Sequence, residues 1–459
     1  MTLAVRMFLR HVRRSVEKLS AMQIIVTVFL CIILAGTLLL MLPCAAKDGR
    51  STPFLTALFT ATSCTCVTGL SLVDTFTHWS GFGQAVMLLL IQIGGLGFMT
   101  IMSLFFFAMR RRIGLKERLI LVQSFGVEKL SGIVALVKKV LRRTLVLEAV
   151  GALVLTCRFL LQMSPGRALW CGVFHAISAF CNAGFDILGA VEQGGSLVSY
   201  VSDPVVNITL MLLVVLGGLG FFVWEDVLQN RCWRKLSVYT KLVLLMSFVL
   251  IFGGAGSYAA LEWNNPATLG GLPVHGKILA SLFQSVTVRT AGFYSISQAG
   301  LTDPAIALTD VLMFIGGGSG STAGGAKMVT VGVLLLSVFA TARGKKHVTV
   351  LKRSIGPEQI KNAVAVVMMM FLAMLISAVA LSAMNGISLG DCLYETISAM
   401  ATVGLTTGIT GQLNAISQII LIVLMFFGRV GIMTISLGFL LTDRAAERYR
   451  YAEANMMIG

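Results

Sequence analysis

Four short stretches of this chain end in a glycine and suit chemistry done by the backbone more than by side chains. They read Phe59-Thr-Ala-Thr-Ser-Cys-Thr-Cys-Val-Thr-Gly69-Leu70, Phe174-His-Ala-Ile-Ser-Ala-Phe-Cys-Asn-Ala-Gly184-Phe185, Phe283-Gln-Ser-Val-Thr-Val-Arg-Thr-Ala-Gly292-Phe293 and Tyr394-Glu-Thr-Ile-Ser-Ala-Met-Ala-Thr-Val-Gly404-Leu405. An aromatic residue precedes the glycine by ten positions in three copies and by nine in the third, with a Ser or Thr between them. Backbone carbonyls gathered in a narrow column can replace the hydration shell of a large, weakly hydrated cation. Glycine permits the positive φ and the close approach such a column needs. The carbonyls this pattern selects belong to Cys66, Val67, Thr68 and Gly69; to Cys181, Asn182, Ala183 and Gly184; to Arg289, Thr290, Ala291 and Gly292; and to Ala401, Thr402, Val403 and Gly404.

A second glycine set follows each of these stretches: Gly94-Gly-Leu-Gly97, Gly217-Gly-Leu-Gly220, Gly316-Gly-Gly-Ser-Gly320 and Gly428-Arg-Val-Gly431, beginning 25, 33, 24 and 24 residues later. In the third copy the run extends through Gly316, Gly317, Gly318, Ser319, Gly320, Ser321, Thr322, Ala323, Gly324 and Gly325. Six glycines disfavour a regular helix there by about 6 kcal/mol relative to alanine. Irregular backbone at membrane depth is tolerated where it lines water or is buried in protein. The run is therefore a candidate gate, with Lys327 beside it. Arg429 stands where the first two copies have Gly95 and Gly218, and bonding the loop's freed carbonyls is its plainest role. A guanidinium about 5 Å from an ion path would also repel a cation by about 3 kcal/mol at an effective dielectric near 20.

These residues need helices across a membrane to hold them. The chain is 56% hydrophobic and 12% charged, with a mean hydropathy of +0.88. Apolar runs cover Ile24 to Leu42, Ala85 to Met109, Leu141 to Leu161, Pro204 to Trp224, Lys241 to Leu261, Ala305 to Phe339, Ala363 to Met384 and Ile416 to Leu441. Each meets the roughly 20 residues that a crossing requires. The pattern predicts an all-α membrane protein of four repeats: outer helix, re-entrant pore helix, filter segment and inner helix. The repeats fall at residues 1–110, 111–229, 230–345 and 346–459. Two crossings per repeat give all four the same orientation, which suits a pseudo-fourfold ring and not the inverted repeats of many carriers. Gly95 and Gly218 read first as close-packing positions. The first apolar run is long for a signal peptide and reads as a retained helix.

The net charge of +16 invites a nucleic-acid reading, but 28 of the 36 basic residues fall in alternate gaps between the runs. That is the positive-inside pattern, and it places both termini in the cytoplasm. Contact with anionic lipid explains much of this charge. The other gaps carry Asp74, Asp186, Glu192, Asp303 and Asp391, an acidic bias that would concentrate cations at a pore mouth.

Several side chains have ordinary expectations. Cys31, Cys157 and Cys171 sit in apolar surroundings, and Cys64-Thr-Cys66 lacks the companions a zinc site needs. His175 reads as a hydrogen-bonded packing residue. Arg289 should point behind its filter segment to carboxylates or carbonyls, with Glu395 and Asp391 as candidates, although Asp391 reads better as a helix cap. Glu148 reads as an interfacial ion pair with Arg142 or Arg143. The membrane-depth ionisable residues are Lys327 and Arg429, and one helix is conspicuously broken. Paired broken helices or intramembrane carboxylates would argue for an ion-coupled carrier of an organic solute. No constellation of catalytic residues points to an enzyme.

Cys-Val-Thr-Gly-Leu, Cys-Asn-Ala-Gly-Phe, Arg-Thr-Ala-Gly-Phe and Ala-Thr-Val-Gly-Leu, with Gly-Gly-Gly-Ser-Gly-Ser-Thr-Ala-Gly-Gly, resemble the Trk/Ktr/HKT superfamily of cation transporters over nearly the whole chain. Only one helix precedes the first filter, which is most like the Ktr-type membrane subunit. The resemblance implies potassium uptake in a bacterial plasma membrane, with sodium stimulation in many such systems. It also implies a homodimer with one pore per subunit, gated by a cytosolic ring of RCK-type subunits that carry the nucleotide. A sodium or mixed sodium/potassium transporter is the alternative within the same fold.

Overall fold

The protein is described from a computed structural model covering residues 21–97, 133–189, 196–345, 347–351 and 353–431. The N-terminal basic residues, the basic stretch from Arg110 to Lys129 and the tail beyond Gly431 lie outside the described residues.

Four long helices carry the apolar runs that precede the filter stretches: α1 (Ala21–Leu40), α4 (Ile133–Phe159), α8 (Val238–Glu262) and α12 (Pro357–Asn385). Each packs on the shorter helix that follows it: α2 (Phe54–Cys66), α5 (Pro165–Phe180), α9 (Val274–Thr287) and α13 (Leu389–Ala401). The short helices have sharp starts. Pro165 occupies the first turn of α5, where a missing N–H costs nothing, and the Ser388 hydroxyl accepts from the Asp391 N–H at the start of α13. Ser388 Oγ in turn donates to Asp391 Oδ2 at 2.6 Å, so Asp391 completes a capping pair and does not reach Arg289.

A third set completes the frame: α3 (Gly81–Leu96), α6 (Pro204–Leu219) with its continuation α7 (Phe221–Asn230), α10 (Asp303–Phe314) with α11 (Met328–Ala342), and α14 (Ala415–Val430). Here α3 packs on α2 and α5, α6 on α5 and α9, α10 on α13, and α14 on α13 and α2. The last member of the set thus returns to the first short helix. Three described helices (α1, α8 and α12) are individually long and apolar enough to cross a membrane, and the α6–α7 pair adds a fourth if counted as one span. Exposed Leu34, Leu38, Leu153, Phe248, Phe252, Ile376 and Val379 form an outer surface suited to lipid.

Two breaks interrupt this third set. Residues 315–327 are irregular between α10 and α11, where six glycines stand. The apolar run from Pro204 to Trp224 is also not one helix: α6 and α7 meet at Gly220 with a 93° bend. Gly220 has φ 100°, and Gly97 and Gly431, the last glycines of their own motifs, have φ 76° and 93° at the ends of α3 and α14. A residue in this region cannot continue a right-handed helix. The expectation of one broken helix is corrected to two among the described residues.

Candidate ion pathway

The four glycine-ended stretches leave α2, α5, α9 and α13 and converge. A β-carbon added at Gly69 would lie 2.5 Å from the Ala183 carbonyl oxygen, and one at Gly184 would lie 2.7 Å from the Ala291 carbonyl oxygen. One at Gly292 would overlap the Val403 carbonyl oxygen, and one at Gly404 would overlap the Thr68 carbonyl oxygen. Each glycine therefore faces the carbonyl preceding the next glycine, and the fourth faces the first. No larger residue fits at these contacts without displacing backbone.

The chain turns in the same way in all four. Val67, Asn182, Thr290 and Thr402 have φ of 58°, 59°, 72° and 53°, and the glycines two residues later have φ of 100°, 70°, 79° and 92°. Val and Thr are β-branched and rarely adopt left-handed backbone, so surrounding contacts must hold them there. The Ser or Thr of each stretch supplies such contacts. Gly69 N–H donates to Ser63 Oγ and Gly404 N–H to Ser398 Oγ, both at 3.1 Å, while Ser178 Oγ donates to the Phe185 carbonyl at 2.8 Å. In the third stretch Thr287 Oγ1 donates to the Phe293 carbonyl. Adjacent stretches are also tied, since the Asn182 amide and Thr290 Oγ1 are 3.2 Å apart.

The second glycines let neighbouring helices approach. Added β-carbons at Gly94, Gly217 and Gly428 would overlap the carbonyls of Thr65, Phe180 and Met400, at the ends of α2, α5 and α13. One at Gly95 would lie 2.5 Å from Cys181 Sγ, in line with the close packing expected there.

The irregular segment 315–327 is anchored on several sides. Its Gly318 and Thr322 N–H groups donate to the carbonyls of Gly218 and Gly217 at 2.8 and 3.2 Å. Phe221 N–H, just past the bend, donates to Gly320 O at 2.9 Å, and Tyr239 of α8 donates to Ser319 O at 3.1 Å. Lys327 Nζ folds back onto the Ala323 carbonyl at 2.6 Å. Arg429 donates to the carbonyls of Thr322 and Gly94, and to that of Gly95 at 3.0 Å. Thus Gly316 to Gly325, Lys327 and Arg429 are brought together, and the loop lies against Asn182 through Thr322 Oγ1 at 3.4 Å.

Arg289 does turn away from the glycine column, but its partners are Met328 Sδ at 3.0 Å and Ser247 Oγ at 3.4 Å, not a carboxylate. Glu395, fully buried, accepts from Thr410 Oγ1 at 2.5 Å instead. Glu148 is not an interfacial ion pair. It lies 15 residues into α4, accepts from Gln92 Nε2, and leaves Arg143 to pair with Glu225 at 2.6 Å. Buried or half-buried ionisable residues within the helical frame thus include Glu148, Arg289, Asp310 and Glu395 besides Lys327 and Arg429. His175 is fully buried, bonds the Cys171 carbonyl at 2.7 Å and packs against Phe159, Phe174 and Phe293, as a packing residue should. All nine cysteines are free.

Apolar helices, broken helices and converging backbone turns define an integral membrane protein built to pass a small solute. Its sequence matches the TrkH family, described as a cation transport protein, over residues 3–448, and the chain belongs to that family of non-enzymatic transporters. It is 40% identical over 427 residues to the Ktr system potassium uptake protein B of Bacillus subtilis, covering 93% of this chain and 94% of that one. It is 36% identical over 452 residues to the potassium/sodium uptake protein NtpJ of Enterococcus hirae, covering 97% and 99%. The fold is shared with the crystal structure of the potassium transporter TrkH from Vibrio parahaemolyticus, with a TM-score of 0.71, 19% identity, and coverage of 93% and 86%.

Proposed function

We propose that this chain is the pore-forming subunit of a bacterial potassium uptake system, conducting K⁺ through a column of backbone carbonyls. The cyclic approach of Gly69, Gly184, Gly292 and Gly404 carries this reading. Four turns of like geometry, contributed by four successive helix–turn–helix units, would present oxygens around one axis, and such oxygens suit a weakly hydrated cation. The four-repeat division and its pseudo-fourfold order belong to the same proposal, supported by the packing that returns α14 to α2. Residues 316–325, Lys327 and Arg429 act as the gate below the column.

The names of the Ktr relatives support potassium as the ion and a multi-component system. On this reading the chain forms a homodimer in the plasma membrane, with both termini cytoplasmic and a cytosolic RCK-type ring as the nucleotide-binding regulator. A mixed sodium/potassium transporter is the second reading, favoured by the name of the Enterococcus relative and by the single glycine in each stretch. Sodium stimulation without sodium transport is a variant of the first. Uptake of ⁸⁶Rb⁺ into proteoliposomes separates these readings. Competition by K⁺ and stimulation by Na⁺ support the first, and equal competition by both ions supports the second. No uptake of either ion by correctly inserted protein overturns both.

A further inference from the structure

Glu148 is a carboxylate in the middle of α4, only 5% exposed, with an amide as its partner. Gln92 Nε2 donates to its two oxygens at 3.0 and 3.1 Å. Burying a carboxylate at this depth is costly, and such residues persist where they serve the solute path. The other end of the same amide supplies the reason. Gln92 Oε1 accepts from Cys181 Sγ at 3.8 Å, and Cys181 is the first of the four carbonyl residues singled out in the second glycine stretch. Gln92 also lies two and three residues before Gly94 and Gly95, whose carbonyls receive Arg429.

We infer that Glu148 is a positioning residue for cation binding, acting through Gln92 on Cys181. Both Glu148 oxygens receive Gln92 Nε2, so the carboxyl group fixes which end of the Gln92 amide faces it. The amide oxygen is then held toward Cys181, and the turn that starts there is fixed in place.

This inference rests on the potassium-pore reading, and the test keeps the two apart. The full-length protein is reconstituted and ⁸⁶Rb⁺ uptake is measured against K⁺ concentration for the parent, Glu148→Gln, Glu148→Asp, Gln92→Ala and the Glu148→Gln/Gln92→Ala double variant. Glu148→Gln is expected to raise the half-saturating K⁺ concentration about tenfold, with less than about a twofold change in maximal rate. Glu148→Asp should fall between it and the parent. Gln92→Ala should shift the same parameter, and the double variant should be no worse than the more affected single, because the two residues act as one path. A parental half-saturating concentration in Glu148→Gln overturns the inference, as do additive effects in the double variant. Should Glu148→Gln fail to accumulate, Gln92→Ala decides alone, since it leaves the carboxylate in place. If substitutions at the four glycines change ion preference while these variants do not shift affinity, only the role of Glu148 falls. If the glycine variants change nothing, the pore reading falls.

Discussion

Arg429, on the last described helix, donates to the carbonyl of Thr322 in the glycine-rich loop and to that of Gly95 on α3 at 3.0 Å. One guanidinium thereby joins the loop to an element more than two hundred residues before it in sequence. Planar, five-donor geometry allows this, and a lysine could not bridge the same carbonyls. Replacing Arg429 by alanine frees the Thr322 carbonyl and removes a cation that would repel K⁺ by about 3 kcal/mol at about 5 Å and an effective dielectric near 20. Basal ⁸⁶Rb⁺ flux should rise at least tenfold and lose much of its regulation. Deleting Gly317 to Ala323 should act the same way. Parental flux in both well-inserted variants would place the barrier elsewhere.

Substitution of a column glycine should change ion preference. A serine at position 69, 184, 292 or 404 would have to adopt left-handed backbone, costing about 1–2 kcal/mol, and would press on a neighbouring carbonyl. K⁺ over Na⁺ preference should fall about tenfold or more in each single variant, read by competition of ⁸⁶Rb⁺ uptake. Unchanged competition in all four would remove these carbonyls from the ion path.

Gly220 should matter to the loop without touching the column. Its φ is 100°, and an added β-carbon would lie 2.7 Å from the Ser319 carbonyl oxygen. Gly220→Ala should therefore disturb the Phe221 N–H bond to Gly320 O, lower thermal stability by about 1–2 kcal/mol and raise basal flux. Gly253→Ala, at a helix position where an added β-carbon meets nothing, is the control. Equal behaviour of the two variants would show that the bend does not hold the loop.

The outer mouth should respond to pH through Asp186, in the loop after the second column segment. Burial pushes its carboxyl up to about 7, the Leu188 N–H bond opposes this, and nearby Asp74 adds to the rise. The group is neutral below that value and gains a negative charge above it. The half-saturating K⁺ concentration should therefore fall as external pH rises through about 7, and Asp186→Asn should flatten the profile. Stability runs the other way, since a raised carboxyl pKa weakens the fold as pH climbs past the unfolded value. An unchanged profile in Asp186→Asn would assign the pH response to another group.

Regulation should require a second protein. On the proposed orientation the basic segment from Arg343 to Arg353, which leads into a two-stranded turn pairing Thr349–Val350 with Arg353–Ser354, faces the cytoplasm and is a docking candidate. Co-purification with a separately encoded nucleotide-binding protein is expected, and charge reversal at Arg343 and Arg353 should weaken it. Nucleotide-responsive uptake by this chain alone would count against a partner.

The repeated glycines, the long helices and the loop at residues 316–325 were legible in the sequence because each leaves a local mark: spacing, hydropathy or six glycines in ten residues. The left-handed turns at Val67, Thr290 and Thr402 leave none, since β-branched residues are poor predictors of positive φ. The bend at Gly220 hid inside an uninterrupted apolar run, although the matching last glycines of the first and fourth motifs could have signalled it. The partners of Glu148 and Arg289 were missed for a different reason. Gln92 and Met328 are distant in sequence, and charge patterning suggests nearby ions before a remote amide or thioether.

Because Gly69, Gly184, Gly292 and Gly404 lie on one chain, the four quarters of the ring can vary independently. In a ring of four identical chains every substitution enters four times, and a small change at one carbonyl is multiplied around the axis. Here Cys66, Cys181, Arg289 and Ala401 already differ at the corresponding place. On the proposed pathway, a substitution in one quarter therefore alters the oxygens of that quarter alone, and ion preference can be tuned one step at a time.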